Sequence, residues 1–126
     1  MKVEPIRSKD DIRNMLEILG YRNPRNKILF AISLARKSGK VSMGFDMVKE
    51  RIEKNRAKAV VLAADTSRRT GENIKRLTGS KVPLYTVGLT QYDLSTVCGR
   101  LTGVISVNDE NLAVLLSGSI KQTEGE

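Results

Sequence analysis

Ala59-Val60-Val61-Leu62-Ala63-Ala64 is an unbroken apolar run of strand length. A half-buried strand alternates apolar with polar residues, whereas a run without a polar member reads as a central strand buried on both faces. Such a strand needs helices above and below it, and the flanking sequence supplies them. Downstream, Asp65-Thr66-Ser67 is a turn and cap, and the helix it opens runs to about Leu77 with Ile74 and Leu77 inward. Gly71 weakens that helix. Val82 to Val87 is the next strand, and Pro83 suits only its start or an edge position. Thr90-Gln91-Tyr92-Asp93 resembles a capping box with Asp in the usual Glu or Gln place. It opens a helix to Cys98, which Gly99 stops. Val104 to Val107 is a strand, Asp109 to Ser117 a last helix, and a polar, fraying tail follows Gly118.

Upstream of the run the same alternation continues. Ser8 to Leu19 has a helical pattern, with Ile12, Met15, Leu16 and Leu19 on one face and a stop at Gly20. Asn23-Pro24 opens a second helix, apolar nearly all round from Ile28 to Ala35, so it is expected to be buried; Gly39 ends it. Val41 to Met43 is a very short strand. Gly44 to Lys54 is a helix with Phe45, Val48 and Ile52 inward. Strands alternating with helices give an α/β domain with a sheet of about four strands and helices on both faces. The expected division is an N-terminal extension with one helix over 1–22, a core domain over 23–118, and a tail over 119–126.

The chain has 126 residues and a formal charge of +8. From Arg22 to Lys58 there are eleven cations and three acids (Asp46, Glu50 and Glu53), so this segment carries the whole excess. A basic balance favours polyanions. With no His and a single Cys, metal clusters and His-dependent nucleophilic catalysis have no residues to use, so neither catalytic nor metal-ligating residues nor a cofactor are expected. Gly39-Lys40 lacks the earlier glycine and the hydroxyl of a phosphate-binding P-loop. Cys98 reads as a small core residue. No apolar run is long enough to span a membrane and no signal core leads the chain, so a cytoplasmic location and no membrane partner are expected.

The charge gathers around Arg36-Lys37-Ser38-Gly39-Lys40-Val41-Ser42-Met43-Gly44-Phe45-Asp46-Met47-Val48-Lys49. A helix that opens at Gly44 offers unpaired backbone N–H groups and the positive end of its dipole, and Arg36, Lys37, Lys40 and Lys49 lie on either side in sequence. The five aromatic residues do not cluster as a base-stacking platform. Docking of a helix end on structured RNA remains, at a place where a bend or bulge opens the major groove.

In order and spacing, Leu34-Ala35-Arg36-Lys37-Ser38-Gly39-Lys40, Gly44, Arg56 to Asp65, Val82 to Gly88, and Leu94 with Cys98-Gly99 resemble the kink-turn-binding ribosomal proteins of the L-seven-Ae type. The short bacterial YlxQ-type members are the nearest in pattern. The likeness covers roughly Asn26 to Leu116. It implies a three-layer α-β-α sandwich with a central mixed sheet, and recognition of a kink-turn, a sharply bent RNA stem with tandem sheared G·A pairs. It implies that the helix at Gly44 enters the widened groove and that Arg100-Leu101-Thr102-Gly103 covers bases flipped out at the bend. The family's strongest binders read G-T-N-E-V-T-K where this chain has Gly44-Phe45-Asp46-Met47-Val48-Lys49-Glu50. Asp46 stands in place of a base-reading Asn, Met47 in place of Glu, and Glu50 in place of Lys. An ionised Asp46 cannot donate a hydrogen bond. The expected function is non-catalytic RNA binding in the ribosome or translation machinery, with structured RNA as partner and ribosomal or translation proteins alongside. The alternative is a protein-interaction module of the same fold, using Phe45 and Met47.

Overall fold

The computed structural model describes residues 24–124. The expected helix at Ser8 to Leu19 and the capping Asn23 lie outside the described residues. The described elements are α1 (Pro24–Lys37), β1 (Val41–Met43), α2 (Phe45–Glu53), β2 (Ala59–Leu62), α3 (Arg68–Thr78), β3 (Leu84–Thr86), α4 (Gln91–Cys98), β4 (Val104–Val107) and α5 (Glu110–Glu124).

The apolar run becomes β2, an inner strand of a mixed four-stranded sheet ordered β1-β4-β2-β3. β4 pairs antiparallel with both β1 and β2, and β3 pairs parallel with β2. Successive side chains of a strand point to opposite faces, and β2 divides accordingly. Ala59 and Val61 join a core with Ile32, Ala35, Leu94, Ile105 and Leu116, beneath α1, α4 and α5. Val60 and Leu62 join a second core with Val48, Ile52, Ile74 and Val104, beneath α2 and α3. Two buried faces require two cores, and the result is the expected three-layer α-β-α sandwich.

Local chemistry sets the boundaries. The side chain of Ser67 accepts from the Thr70 N–H and starts α3. Thr90 and Asp93 form a complete capping box at α4, and Asp109 accepts from the Leu112 N–H at α5. Pro83 immediately precedes β3, an edge strand where its missing N–H breaks no ladder, and its carbonyl accepts from Val60.

Two features differ from the sequence reading. α5 does not stop at Gly118 but continues to Glu124. Ile120 lies one turn beyond Leu116 on the same face and is fully buried, and this burial outweighs a glycine penalty of about 1 kcal/mol. Helix α1 is not buried all round. Ile28, Ala31, Ile32 and Ala35 face the core, while Phe30 and Leu34, one turn apart, are exposed.

Candidate nucleic-acid interface

Helix α2 starts without a side-chain cap, unlike α3, α4 and α5. Its N-cap, Gly44, has φ +89°, a backbone shape costly for any residue with a Cβ. The Gly44 N–H donates to the Val104 carbonyl, which ties the helix start to the end of the sheet. Among the described residues, the N–H groups of Phe45, Asp46 and Met47 have no hydrogen-bond acceptor. They are the orphan donors of the first turn, at the positive end of the dipole.

The loop that follows α4 is fastened beside this helix start. Arg100 Nη2 donates to the Met43 carbonyl at 3.0 Å. The same nitrogen lies 3.2 Å from where a Cβ on Gly44 would be, so the guanidinium rests on the glycine. One helical turn back, Arg36 Nη1 donates to the Val97 carbonyl, and Arg36 Nη2 lies 2.9 Å from where a Gly99 Cβ would be. Gly99 has φ +78° and is the only residue type that admits this approach without strain. Burial raises the Cys98 thiol pKa, and the charges of Arg36 and Arg100 oppose the rise. Thr66 Oγ1 donates to the Gly103 carbonyl at 2.8 Å and closes the loop from the other side.

Gly44, Phe45, Arg100, Leu101 and Thr102 therefore line one open cleft, as their pairing in the sequence reading requires. Thr66, Ser67, Thr70 and Gln91 line it as well. Sequence reasoning assigned Ser67 to a helix cap and left these four out of the site. Ser67 caps α3 and also lines the cleft, because the start of α3 faces the same end of the sheet. Leu101 is 67% exposed and Met47 is 43% exposed, while Asp46 and Lys49 project into solvent from α2. Phe45 is half-buried and packs against the second core. Thr102 is buried, with its hydroxyl donating to the Val104 carbonyl, so it forms the floor of the cleft and does not present its hydroxyl. Lys37 is exposed in the last turn of α1.

Lys40 is not beside Gly44, contrary to the sequence reading. It precedes β1 and Gly44 follows it, so the strand holds them about 13 Å apart, four residue steps of extended chain. Lys40 instead lines a groove with Arg51, Arg56, Lys58 and Asn108. The acid that differs most from the family pattern in charge, Glu50, is occupied: it accepts from Lys54 at 3.0 Å and from Arg51 at 3.2 Å. The Lys54 hydrogen bond lowers its pKa from the ordinary value, helped by the Lys54 and Arg51 charges.

No helix among the described residues is long and apolar enough to cross a membrane. Among the described residues no three His, Cys, Asp or Glu side chains are grouped to hold a metal ion.

The fold is shared with solved structures. A protein with unknown function from Bacillus halodurans superposes with a TM-score of 0.71 at 23% identity, covering 75% of this chain and 96% of that one. The 15.5kD RNA binding protein of Giardia lamblia superposes with a TM-score of 0.68 at 16% identity, covering 82% and 90%. In sequence, the large ribosomal subunit protein eL30 of Candida albicans is 34% identical over 89 residues, 68% of this chain and 84% of that protein. The model of the Ribosomal protein L7Ae/L30e/S12e/Gadd45 family matches residues 26–116, which contain the sheet, the uncapped helix start and the Arg100 loop. The chain belongs to that family.

Proposed function

We propose that this protein is a non-catalytic RNA-binding component of the ribosome or translation machinery, and that it docks the start of α2 and the Arg100–Gly103 loop on a bent, kink-turn-like RNA. The observation that carries this is the Arg100 bridge to the Met43 carbonyl against Gly44. It holds a cation against an uncapped helix start whose first-turn backbone donors are unpaired, an arrangement suited to a phosphate and the base edges beside it. The family membership and the likeness to eL30 support the ribosomal setting. Arg36 braces the Arg100 loop through α4, while Lys37 and Lys49 are exposed and add to the positive charge that attracts RNA.

The test is a fluorescence-anisotropy titration of a kink-turn stem and a straight duplex of the same composition. The expected result is a clear preference for the kink-turn, and a loss of about tenfold with Arg100→Ala, the scale of one hydrogen bond to a charged group. Equal binding to both RNAs, or an unchanged affinity for the variant, overturns the proposal.

Exposed Leu101 and Met47 beside the cleft support a second reading, in which the same surface meets a protein. Weak binding to both RNAs, with saturable binding to a purified ribosomal protein that Leu101→Asp abolishes, would favour it.

A further inference from the structure

The groove around Lys40 is more basic than the candidate site itself. Four cations line it (Lys40, Arg51, Arg56 and Lys58) and no acid does, whereas Arg100 is the one charged side chain lining the Gly44 cleft. The groove is also held in shape. Arg51 Nε donates to Ser42 Oγ at 3.2 Å, Asn108 Nδ2 donates to the same oxygen at 3.0 Å, and Ser106 Oγ donates to Asn108 Oδ1 at 2.9 Å. Lys58 Nζ donates to the Asn55 carbonyl at 3.3 Å. The backbone beneath is tied down too, with Lys58 N–H on Val107 and Asn108 N–H on Lys40. A helix C-terminus normally repels anions through its free carbonyls. Here the Glu50, Arg51 and Ile52 carbonyls already accept from Lys54, Arg56, Ala57 and Asn55, and the left-handed turn at Asn55 (φ +59°) makes this possible.

We infer that this groove is a second RNA-contacting surface, which takes the phosphate backbone of a segment flanking the one bound at Gly44. The inference rests on the RNA reading above and deepens it. Charge favours a polyanion, and the lining favours nucleic acid over an anionic membrane. Ser42, Asn55 and Asn108 add polar groups, and Val41 is the one large apolar side chain present, too little to insert into a bilayer surface. The separation fits a single RNA. The span of about 13 Å along β1 equals roughly four steps of a duplex, so an arm that runs more than about four base pairs past the Gly44 contact reaches the groove, and a minimal stem cut shorter than that does not.

The experiment uses the full chain and a kink-turn stem in two forms: minimal, and with each arm in turn lengthened by one helical turn. Affinities are measured across a salt series for wild type and for the double variant Arg56→Gln with Lys58→Gln. Wild type binds one of the lengthened stems more tightly, with a log–log salt slope steeper by about 2 to 3, near 0.9 for each added phosphate contact. The double variant removes about 2 of that increment and leaves the minimal stem unchanged. No length dependence in wild type, or equal losses on both stems, overturns the inference. So does a double variant that binds every stem like wild type but no longer binds phosphatidylserine vesicles, which assigns the groove to a membrane surface. If the double variant unfolds, Arg56→Gln alone, at an exposed position, removes about 1 from the increment or the inference fails. The two readings fail separately: if Arg100→Ala has no effect while the length dependence persists, the cleft reading falls and the groove stands.

Discussion

The two ends of β1 carry opposite kinds of surface. At the Gly44 end the surface is built from backbone: an uncapped helix start, a loop laid over it, and one guanidinium that fastens the two. At the Lys40 end it is built from cationic side chains over backbone that is already paired. Backbone donors fix where a phosphate or base edge must sit, while side-chain charge attracts without choosing. On the proposed reading, the same small strand separates a surface that selects an RNA shape from one that holds more of the same RNA.

Ile52→Ala tests what the two ends share. Ile52 is buried in the second core, on the helix that runs from one end to the other. Its truncation is expected to cost about 2–5 kcal/mol, read as a fall in melting temperature of roughly 10 °C or more, and to weaken both surfaces together. Selective loss at one end would mean that the two ends are held independently. Gly44→Ala acts at one end only. The backbone of Gly44 (φ +89°, ψ +156°), a shape essentially reserved for glycine, and the Arg100 contact at 3.2 Å make the methyl group cost about 1–3 kcal/mol and dislodge the guanidinium. Kink-turn preference should fall while binding that depends on the lengthened arm persists. A crystal structure of the variant with the Arg100–Met43 bond intact would show that the glycine serves the backbone alone.

Much of this fold was legible in the sequence because its signals are local. β2 announced its two buried faces by lacking any polar residue, Thr90 and Asp93 announced a helix start, and Pro83 announced an edge. The overrun of α5 past Gly118 was less legible, since a glycine is visible in sequence and the buried position waiting for Ile120 is not. The site was legible in half. Gly44 and the Arg100 loop were paired through the family likeness, and the structure brings them into one cleft. Lys40 was assigned by nearness in sequence, yet a strand of even three residues carries its two flanks to opposite ends of a sheet. Arg51, Arg56 and Lys58 join Lys40 because α2 turns the chain back alongside β1, a long-range fact that charge counting does not contain. Thr102 shows the same limit on a smaller scale, its hydroxyl being taken by Val104 two residues away.

Asp46→Asn sharpens the contrast at the selective end. Asp46 stands in the first turn of α2, where the dipole favours its charge, and it is exposed. The amide adds a donor and removes a repulsion, so kink-turn binding should tighten about fivefold, near 1 kcal/mol. The free protein should become less stable by a few tenths of a kcal/mol. Opposite signs in the two measurements mark a residue that faces the ligand; a gel-shift titration with unaltered or weaker binding argues for another docking mode. Lys40→Ala is the matching test at the holding end. The salt slope should drop by about 1 on the lengthened stem alone; an equal drop on the minimal stem would return Lys40 to the Gly44 contact.

The smallest expected effect concerns Glu50, which lies between the two ends on α2. Lys54 first, and Arg51 second, hold its carboxyl below the ordinary value of 4.5, chiefly through the Lys54 hydrogen bond. A carboxylate whose pKa is lower in the folded state adds stability that is fully present above the unfolded value and is lost as pH falls through the folded one. Glu50 is partly exposed and its ion pairs lie at the surface, so the contribution is small and screened by salt. Glu50→Gln should therefore flatten the acid limb of the melting-temperature profile slightly at low salt and leave neutral pH nearly unchanged. Its effect on RNA carries more information. If the Lys54 and Arg51 pairs keep the Glu50 charge away from the ligand, removing that charge leaves kink-turn affinity as it is, and the charge reversal relative to the family pattern is neutralised within the helix. Tighter binding by Glu50→Gln would instead mean that Glu50 opposes RNA directly, and that α2 is turned further into the complex than its first turn.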